Sequence, residues 1–394
     1  MRVELRETLS YRHAWTLALA VLAAGVGLHL ATGPVPRSLV SLSLLWAPAL
    51  GAAFWSAIKP ESASARFLGG APLAVASTTI ALVLVLPGAI WPTDAFSRFG
   101  VASVWESWPF GLCAVLVATN LAASCARRAR PLTWRNATYL ASHAGLLVVL
   151  AGGGLSSVLL DRRQMVLTEG VPNNLARAAD GSVQMLPFEA TLREFQLETF
   201  PPTLVLAKYD PETKTAQATP VGGFVEQGMR ATVEGVSLEV LEFVPKAVAV
   251  EGEWRAMPWK SAAPAARIRA TRGEQTLEGW VSCGGLESAQ AGLELDDTTA
   301  ILMPPPNARR YRSTVDIRHG DQVEQVAIEV NRPVPVAGLL LYQLSYDETM
   351  GAASLTSVLE VVEDRAVPIV YVGIALTLLG VIGQLVLGTR WESR

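Results

Sequence analysis

The sequence predicts a membrane α-helical bundle of six spans with a large all-β domain inserted between the fifth and sixth helices. Three observations lead to this fold class. Six segments of 20 residues or more contain no Asp, Glu, Lys or Arg, and about 20 apolar residues suffice for a spanning helix. Most charged residues lie between the last two segments. That stretch alternates between apolar and polar residues, as strands do.

Composition argues against a soluble enzyme. The chain is 51% hydrophobic and 17% charged, whereas soluble domains average about 25% charged residues. The first uncharged segment is longer than the apolar region of a typical signal peptide, and a second span follows it at once. The first segment is therefore expected to be a retained helix. The six segments are 14–36, 38–58, 67–93, 107–126, 136–160 and 366–389.

These segments divide the chain into four parts. Residues 1–66 carry two N-terminal spans, residues 67–160 carry three more, and residues 366–394 form the last span and a short tail. Residues 161–365 hold 19 basic and 29 acidic residues, for a net charge of −10. An acidic domain of that size can bury its own core, and its charge argues against nucleic acid as a partner.

The basic residues predict the orientation in the inner (plasma) membrane. Eleven of them flank the helices on one side, where the positive-inside rule places the cytoplasm. Both termini are then cytoplasmic, and the β domain lies on the periplasmic, extracytoplasmic side. Arg37 and Arg98 are the basic residues of the opposite loops. The eleven are Arg2, Arg6, Arg12, Lys59, Arg66, Arg127, Arg128, Arg130, Arg135, Arg390 and Arg394.

The inserted domain is expected to be a sandwich or an open barrel, because many short strands recur between turn signals. Two hairpins are predicted, one around Gly273 and one around Gly320. The domain contains none of the sequence motifs of zinc proteases, serine hydrolases or nucleotide-binding loops. The chain has three cysteines and no C-x-x-C-H, which excludes covalent c-type haem attachment to this protein.

The histidines are the candidate ligands within the membrane. His143 lies about 12 Å into the bilayer from Arg135 at the helical rise per residue, and an ionisable residue at that depth is a functional candidate. Imidazole is a common axial ligand of haem iron, but a hydrogen bond across a helix interface is the other interpretation. His29, near the outer end of the first span, is a possible second ligand. His13 lies at the cytoplasmic end of the first span, where an amphipathic ring is tolerated, and His319 is expected to be a solvated turn residue.

Two stretches resemble a known family. The first is SHAGLLVVLAGG (residues 142–153), which leads into the β domain through LTEG (167–170). The second is IEVNRPVPVAGLLLYQLSYD (328–347), which precedes the last span. Together they resemble the ResB-like, or CcsB-type, family of system II cytochrome c biogenesis, over roughly residues 67–390. The first two spans are extra to that core. The matching motif residues are Asn331, Pro333, Gly338, Tyr342, Gln343, Ser345, Tyr346 and Asp347.

The resemblance implies membrane haem handling. A ResB-like chain helps to carry haem b, bound non-covalently, across the membrane and to present it to apocytochrome c. The attachment itself occurs on a CcsA-type partner with a tryptophan-rich W-W-D motif, which this chain lacks, so it is expected to be the non-catalytic subunit. His143 lies on the helix that carries a haem-associated histidine in related proteins. The motif segment around Tyr342 either contacts partners or closes the β domain.

Two other functions are compatible with these features. A b-haem electron-transfer subunit would need paired histidines within one chain, and His29 is the candidate second member. A cofactor-free membrane assembly factor would need no haem at all. A transporter is less favoured, since the spans contain no carboxylate and no inverted repeat.

Overall fold

The computed structural model describes residues 2–90 and 103–392, with side chains for 10–90 and 103–386. The helices form one compact unit, and Arg162–Glu363 forms a second. Arg98 and Arg394, used above to predict the orientation, lie outside the described residues, and so do the side chains of Arg2, Arg6 and Arg390.

The first unit contains seven described α-helices. Six of them are long and apolar enough to cross a membrane, which confirms the number and order of the predicted spans. The remaining helix, α3, is short and was not predicted from the sequence. The helices are α1 (Arg2–Thr32), α2 (Leu39–Ile58), α3 (Ala63–Leu68), α4 (Ala71–Ile90), α5 (Trp108–Arg128), α6 (Trp134–Leu159) and α7 (Val367–Glu392).

The break between α3 and α4 has a specific cause. The side chain of Ser62 caps the start of α3, and the chain turns at Gly69, where a Cβ would lie 2.8 Å from the backbone nitrogen of Ser124 on α5. The amide of Asn120 on α5 donates hydrogen bonds of 2.7 and 3.0 Å to the carbonyls of Leu68 and Gly70. A buried amide of α5 therefore bonds the backbone on both sides of the break, at the end of α3 and just before α4.

The helices pack through small apolar residues. One cluster joins α1, α4 and α5 around Ala14, Ala18, Leu73 and Ala76. A second cluster joins α2 and α5 through the buried alanines Ala49, Ala118 and Ala122. Leu147 and Leu150 of α6 pack against it. Small residues let helix backbones approach closely, which is how helices associate in lipid.

The second unit is all-β, as predicted, and its strands form three sheets. The strands are β1 (Asp161–Thr168), β2 (Pro172–Ala178), β3 (Val183–Thr199), β4 (Val205–Asp210), β5 (Thr215–Pro220), β6 (Arg230–Val233), β7 (Val236–Val250), β8 (Glu253–Ala256), β9 (Ala263–Arg272), β10 (Gln275–Ser282), β11 (Leu293–Asp296), β12 (Thr299–Leu302), β13 (Ala308–His319), β14 (Gln322–Glu329), β15 (Val334–Val336), β16 (Leu339–Tyr346) and β17 (Thr356–Glu363).

The largest sheet has eight strands in the order β14-β13-β3-β2-β1-β17-β16-β15. Its inner face buries one core of large side chains, including Met165, Phe195, Ile328 and Leu341. The ring of Phe195 on β3 stacks against Tyr346 on β16 at 4.9 Å. Because β3 and β16 lie four strands apart in the order, the sheet must curl to bring these rings together.

The other two sheets form a lobe of their own. One sheet has the strand order β10-β9-β7-β6, and β8 also pairs with β7. The other sheet has the strand order β11-β12-β4-β5. Both contribute to a single core that includes Leu206, Val240, Ile268 and Ile301, as the two layers of a sandwich do. In the chain this lobe lies between β3 and β13, so the middle of the domain is an insertion into the curled sheet.

Both predicted hairpins are present. Gly273 connects β9 to β10, and Gly320 connects β13 to β14, each with a positive φ of 60°. Two-residue hairpin turns require such angles, which glycine adopts without steric cost.

Candidate functional site

His143 is the tenth residue of α6, in the third turn of the helix, and is half-buried. Its ring nitrogen Nδ1 is 3.1 Å from the carbonyl oxygen of Tyr139, one turn earlier, and 2.9 Å from Ser142 Oγ. Among the described residues, none hydrogen-bonds to the other ring nitrogen, Nε2. Since an Nδ1–H that donates to a carbonyl leaves a lone pair on Nε2, this arrangement is suited to metal binding through Nε2.

A stack of three side chains holds the ring from one face. Tyr139 and His143 stack with centroids 3.7 Å apart and an interplanar angle of 20°. The guanidinium carbon of Arg128 lies 3.9 Å from the centroid of the Tyr139 ring, within cation–π distance. The phenol of Tyr139 shares a hydrogen bond of 2.5 Å with Ser124 Oγ. The stack therefore ties the His143 turn of α6 to the end of α5.

The small residues next to His143 serve helix packing. A Cβ on Gly145 would lie 2.5 Å from the backbone nitrogen of Thr377 on α7, and a Cβ on Gly380 would clash with the backbone nitrogen of Ser142. The two backbones are thus in contact along this side of α6. In the structure α7 therefore fills the side of α6 that carries Ser142 and Gly145.

The open side of α6 carries Leu146 and Gly153. Leu146 is 43% exposed, and nothing lies within 4 Å of a Cβ placed on Gly153. Leu146 lies three residues and Gly153 ten residues after His143, and these spacings place the three residues on one side of a helix. Leu147 and Leu150 pack on the neighbouring cluster of α2 and α5, so His143 lies at the border between a packed side and an open one.

His29 is buried, with 8% of its surface exposed, near the end of α1. This end of α1 lies beside the start of α5. The indole of Trp108 donates a 3.0 Å hydrogen bond to Thr32 Oγ1, and a Cβ on Gly25 would lie 2.7 Å from Pro109 Cα.

The two candidate histidines are not brought together. The turn of His143 is level with the opposite end of α5, since Tyr139 bonds Ser124. At about 1.5 Å per residue along α5, the two levels are about 20 Å apart. That separation is too large for His29 and His143 to ligate one haem iron. His13 is exposed, and so is His319, as expected for a turn residue.

The motif residues of 331–347 form a hairpin and its flanking turns in the curled sheet. Asn331 has a φ of 61° in the turn after β14, and Gly338 has a φ of 83° in the turn between β15 and β16. Pro333 directly precedes the edge strand β15. Tyr342 is half-buried and lies opposite Glu360 of β17. Each of these motif residues therefore has a structural position in a turn or strand of the curled sheet.

Gln343 belongs to a buried polar network. Its side-chain nitrogen donates to Ser357 Oγ at 3.0 Å and to the carbonyl of Ser345 at 3.1 Å. Ser313 Oγ lies 2.7 Å from the same hydroxyl of Ser357. Three strands, β13, β16 and β17, are thereby joined through side chains inside the core. Buried polar groups of this kind are stable only when each is hydrogen-bonded.

Tyr346 and Asp347 close the segment. Tyr346 stacks on Phe195, and burial raises the pKa of its phenol. The carboxylate of Asp347 accepts hydrogen bonds from the hydroxyl of Thr349 at 2.6 Å and from its backbone nitrogen at 3.0 Å. These bonds lower the pKa of Asp347 below its ordinary value. Both residues thus stabilise the end of β16 and the turn that follows it.

A cluster of charges that sequence reasoning missed surrounds Glu329 at the end of β14. The Glu329 side chain is 11% exposed and lies 2.5, 3.5 and 3.7 Å from Arg310, Arg312 and Arg332. The hydrogen bond from Arg310 is the main reason why the pKa of Glu329 is below its ordinary value. Arg332 directly precedes Pro333 of the motif segment, and the alternation of β13 and β14 alone did not indicate this pairing.

The described residues contain no group of three or more His, Cys, Asp or Glu side chains that could hold a metal ion. Nε2 of His143 has no partner among the described residues and one side of α6 is open, so this imidazole could serve as one ligand of a haem iron. The second axial ligand would have to come from elsewhere. Within the spans there is no methionine to supply it.

Six apolar helices and an inserted β unit define a multi-pass membrane protein with a β domain. No protein-family model matches the chain, and no curated protein matches it either.

Proposed function

We propose that this chain is the non-catalytic membrane subunit of a system II cytochrome c synthetase of the ResB-like kind. In this role it binds haem b as non-covalent cargo, helps to move it across the membrane, and presents it with a CcsA-type W-W-D partner to apocytochrome c. The observation that carries the proposal is the hydrogen bonding of His143. Its Nδ1 faces Tyr139 and Ser142, which leaves Nε2 for iron.

The second ligand is expected from the partner chain. His29 is about 20 Å from His143 along the bundle, at the helical rise per residue, and the open side of α6 beside Leu146 gives another helix access to His143. Arg128, which packs over Tyr139 in the same stack as His143, is the candidate partner for a haem propionate. The same arrangement disfavours a b-haem electron carrier that works alone, since one chain does not supply both ligands.

The β unit is assigned a supporting role in the same proposal. Residues 161–365 carry a net charge of −10, which would attract a basic apocytochrome. Its orientation outside the cytoplasm follows from the distribution of basic residues between the loops. The segment 331–347 closes the curled sheet, so the main role of its side chains is to stabilise the fold of this unit.

The test is co-expression of the full chain with the W-W-D partner, followed by purification in detergent and an absorption spectrum. We expect a Soret band that His143→Ala abolishes together with cytochrome c maturation. His143→Gly should regain the band when imidazole is added. His13→Ala and His319→Ala are matched controls, because both side chains are exposed, and they should leave the band unchanged.

A cofactor-free assembly factor is the second candidate. The observation in its favour is that His143 also belongs to a polar network between α6 and α7 through Ser142, which is a structural use of the residue. A complex that purifies with its partner, matures cytochrome c and shows no Soret band would favour this candidate. Unchanged haem content in His143→Ala would contradict the haem proposal.

A further inference from the structure

Gln384 is a polar residue on the side of α7 that packs on α6. Its side-chain nitrogen donates to Ser142 Oγ at 2.6 Å and to the carbonyl of Thr138 at 3.1 Å. Ser142 is 3% exposed. An amide within a membrane span is costly unless it is hydrogen-bonded, so these two bonds hold α7 against the turn of α6 that contains His143.

The bond from Gln384 restricts the hydroxyl proton of Ser142. Since the amide donates to Oγ, the proton of Ser142 must point elsewhere, and two acceptors lie near. These are the carbonyl oxygen of Tyr139 at 3.0 Å and Nδ1 of His143 at 2.9 Å. The direction of one hydroxyl therefore depends on the protonation of the imidazole.

Two proton arrangements satisfy this network. In the first, Ser142 donates to Nδ1, and the ring proton is on Nε2, which then cannot bind a metal. In the second, Ser142 donates to the Tyr139 carbonyl, and Nδ1–H donates to that carbonyl and to Ser142 Oγ. The second arrangement leaves the lone pair of Nε2 available.

We infer that Ser142 and Gln384 are positioning residues that set the orientation and tautomer of His143, so that α7 belongs to the haem site although it supplies no ligand. The inference rests on the proposed function where it concerns haem. Partners of the non-ligating nitrogen fix the ring and raise the basicity of the ligand, and their loss typically costs 10–100-fold in metal affinity.

The first measurement uses the haem-free full chain in detergent with ¹⁵N-labelled histidine. The chain has four histidines, and His143→Ala identifies the signals of His143. Ser142→Ala and Gln384→Leu should each change the ring ¹⁵N shifts of His143, because they alter the donors and acceptors at Nδ1. Thr377→Val is the matched control. It removes a hydroxyl from the same helix interface, and among the described residues that hydroxyl donates only to the carbonyl of Gly373.

The second measurement uses the haem-loaded complex. Gln384→Leu and Ser142→Ala should lower haem affinity about 10–100-fold and raise the midpoint potential of the haem, since a less basic imidazole stabilises the oxidised iron less. Thr377→Val should change neither. Unchanged ¹⁵N shifts in both variants would overturn the inference. Changed shifts in a protein that never binds haem would support the positioning role and contradict the proposed function instead.

Discussion

The α6–α7 pair and the curled sheet are both closely packed, but with opposite kinds of residue. Where α6 meets α7, glycines such as Gly145 and Gly380 bring the backbones into contact. The sheet instead buries large side chains such as Phe195 and Leu341 completely. The difference follows from the solvent. Lipid offers no hydrophobic gain for burying apolar side chains, so close backbone contact holds the helices together, whereas burial stabilises the sheet in water.

The largest effect is expected when a large side chain is removed from the sheet. Phe195→Ala should lower the free energy of unfolding by about 3–5 kcal/mol, because it leaves a cavity beside Tyr346 and Tyr311. The measurement is thermal unfolding of the full chain in detergent, followed by near-ultraviolet circular dichroism. Phe200→Ala, at a 47% exposed residue, is the control. Equal losses in the two variants would show that burial does not stabilise this sheet.

Adding a methyl group should damage the helix pair. Gly380→Ala places a Cβ against the backbone nitrogen of Ser142, closer than any real contact allows, so α7 must move away from α6. We expect a loss of about 3 kcal/mol, measured as a lower midpoint of heat-induced aggregation in detergent. Gly153→Ala is the matched control, since its Cβ meets nothing within 4 Å. A stable Gly380→Ala protein would contradict the close approach of the two helices.

Disrupting a polar network inside the sheet should lower the free energy of unfolding by a smaller amount. Ser357→Ala removes the shared partner of Gln343 and Ser313, and leaving such groups unsatisfied costs about 1–3 kcal/mol. The same thermal unfolding experiment applies. Ser237→Ala, at an exposed position of β7, should change little. No difference between the two variants would mean that the network does not contribute to stability.

The smallest expected effect is a pH dependence from Glu329. Its pKa is lowered in the folded state, mainly by Arg310, so the carboxylate stabilises the fold above its unfolded pKa. This contribution is lost as the pH falls through the folded pKa. The wild-type unfolding midpoint should therefore fall more steeply than that of Glu329→Gln between about pH 6 and pH 3, around the ordinary range of a glutamate. Glu294→Gln, at an exposed residue, should keep the wild-type slope.

Much of the fold could be predicted from the sequence because the relevant patterns are local. Uncharged runs of spanning length mark the six long helices, and alternation with glycine turns marks the strands and the hairpins at Gly273 and Gly320. The short helix α3 was missed, since its end depends on hydrogen bonds from Asn120, which is distant in the chain. His143 could be singled out because a titratable residue inside an apolar helix stands out by itself.

The surroundings of His143 depend on tertiary structure. Nothing in the local sequence indicates that Ser142 meets Gln384, which lies 242 residues later, or that α7 fills one side of α6 and leaves the side of Leu146 open. In the same way, only the curled sheet brings Phe195 to Tyr346. Local composition determines which segments become helices and strands, but contacts between distant segments decide which faces are buried, and those faces define the candidate site.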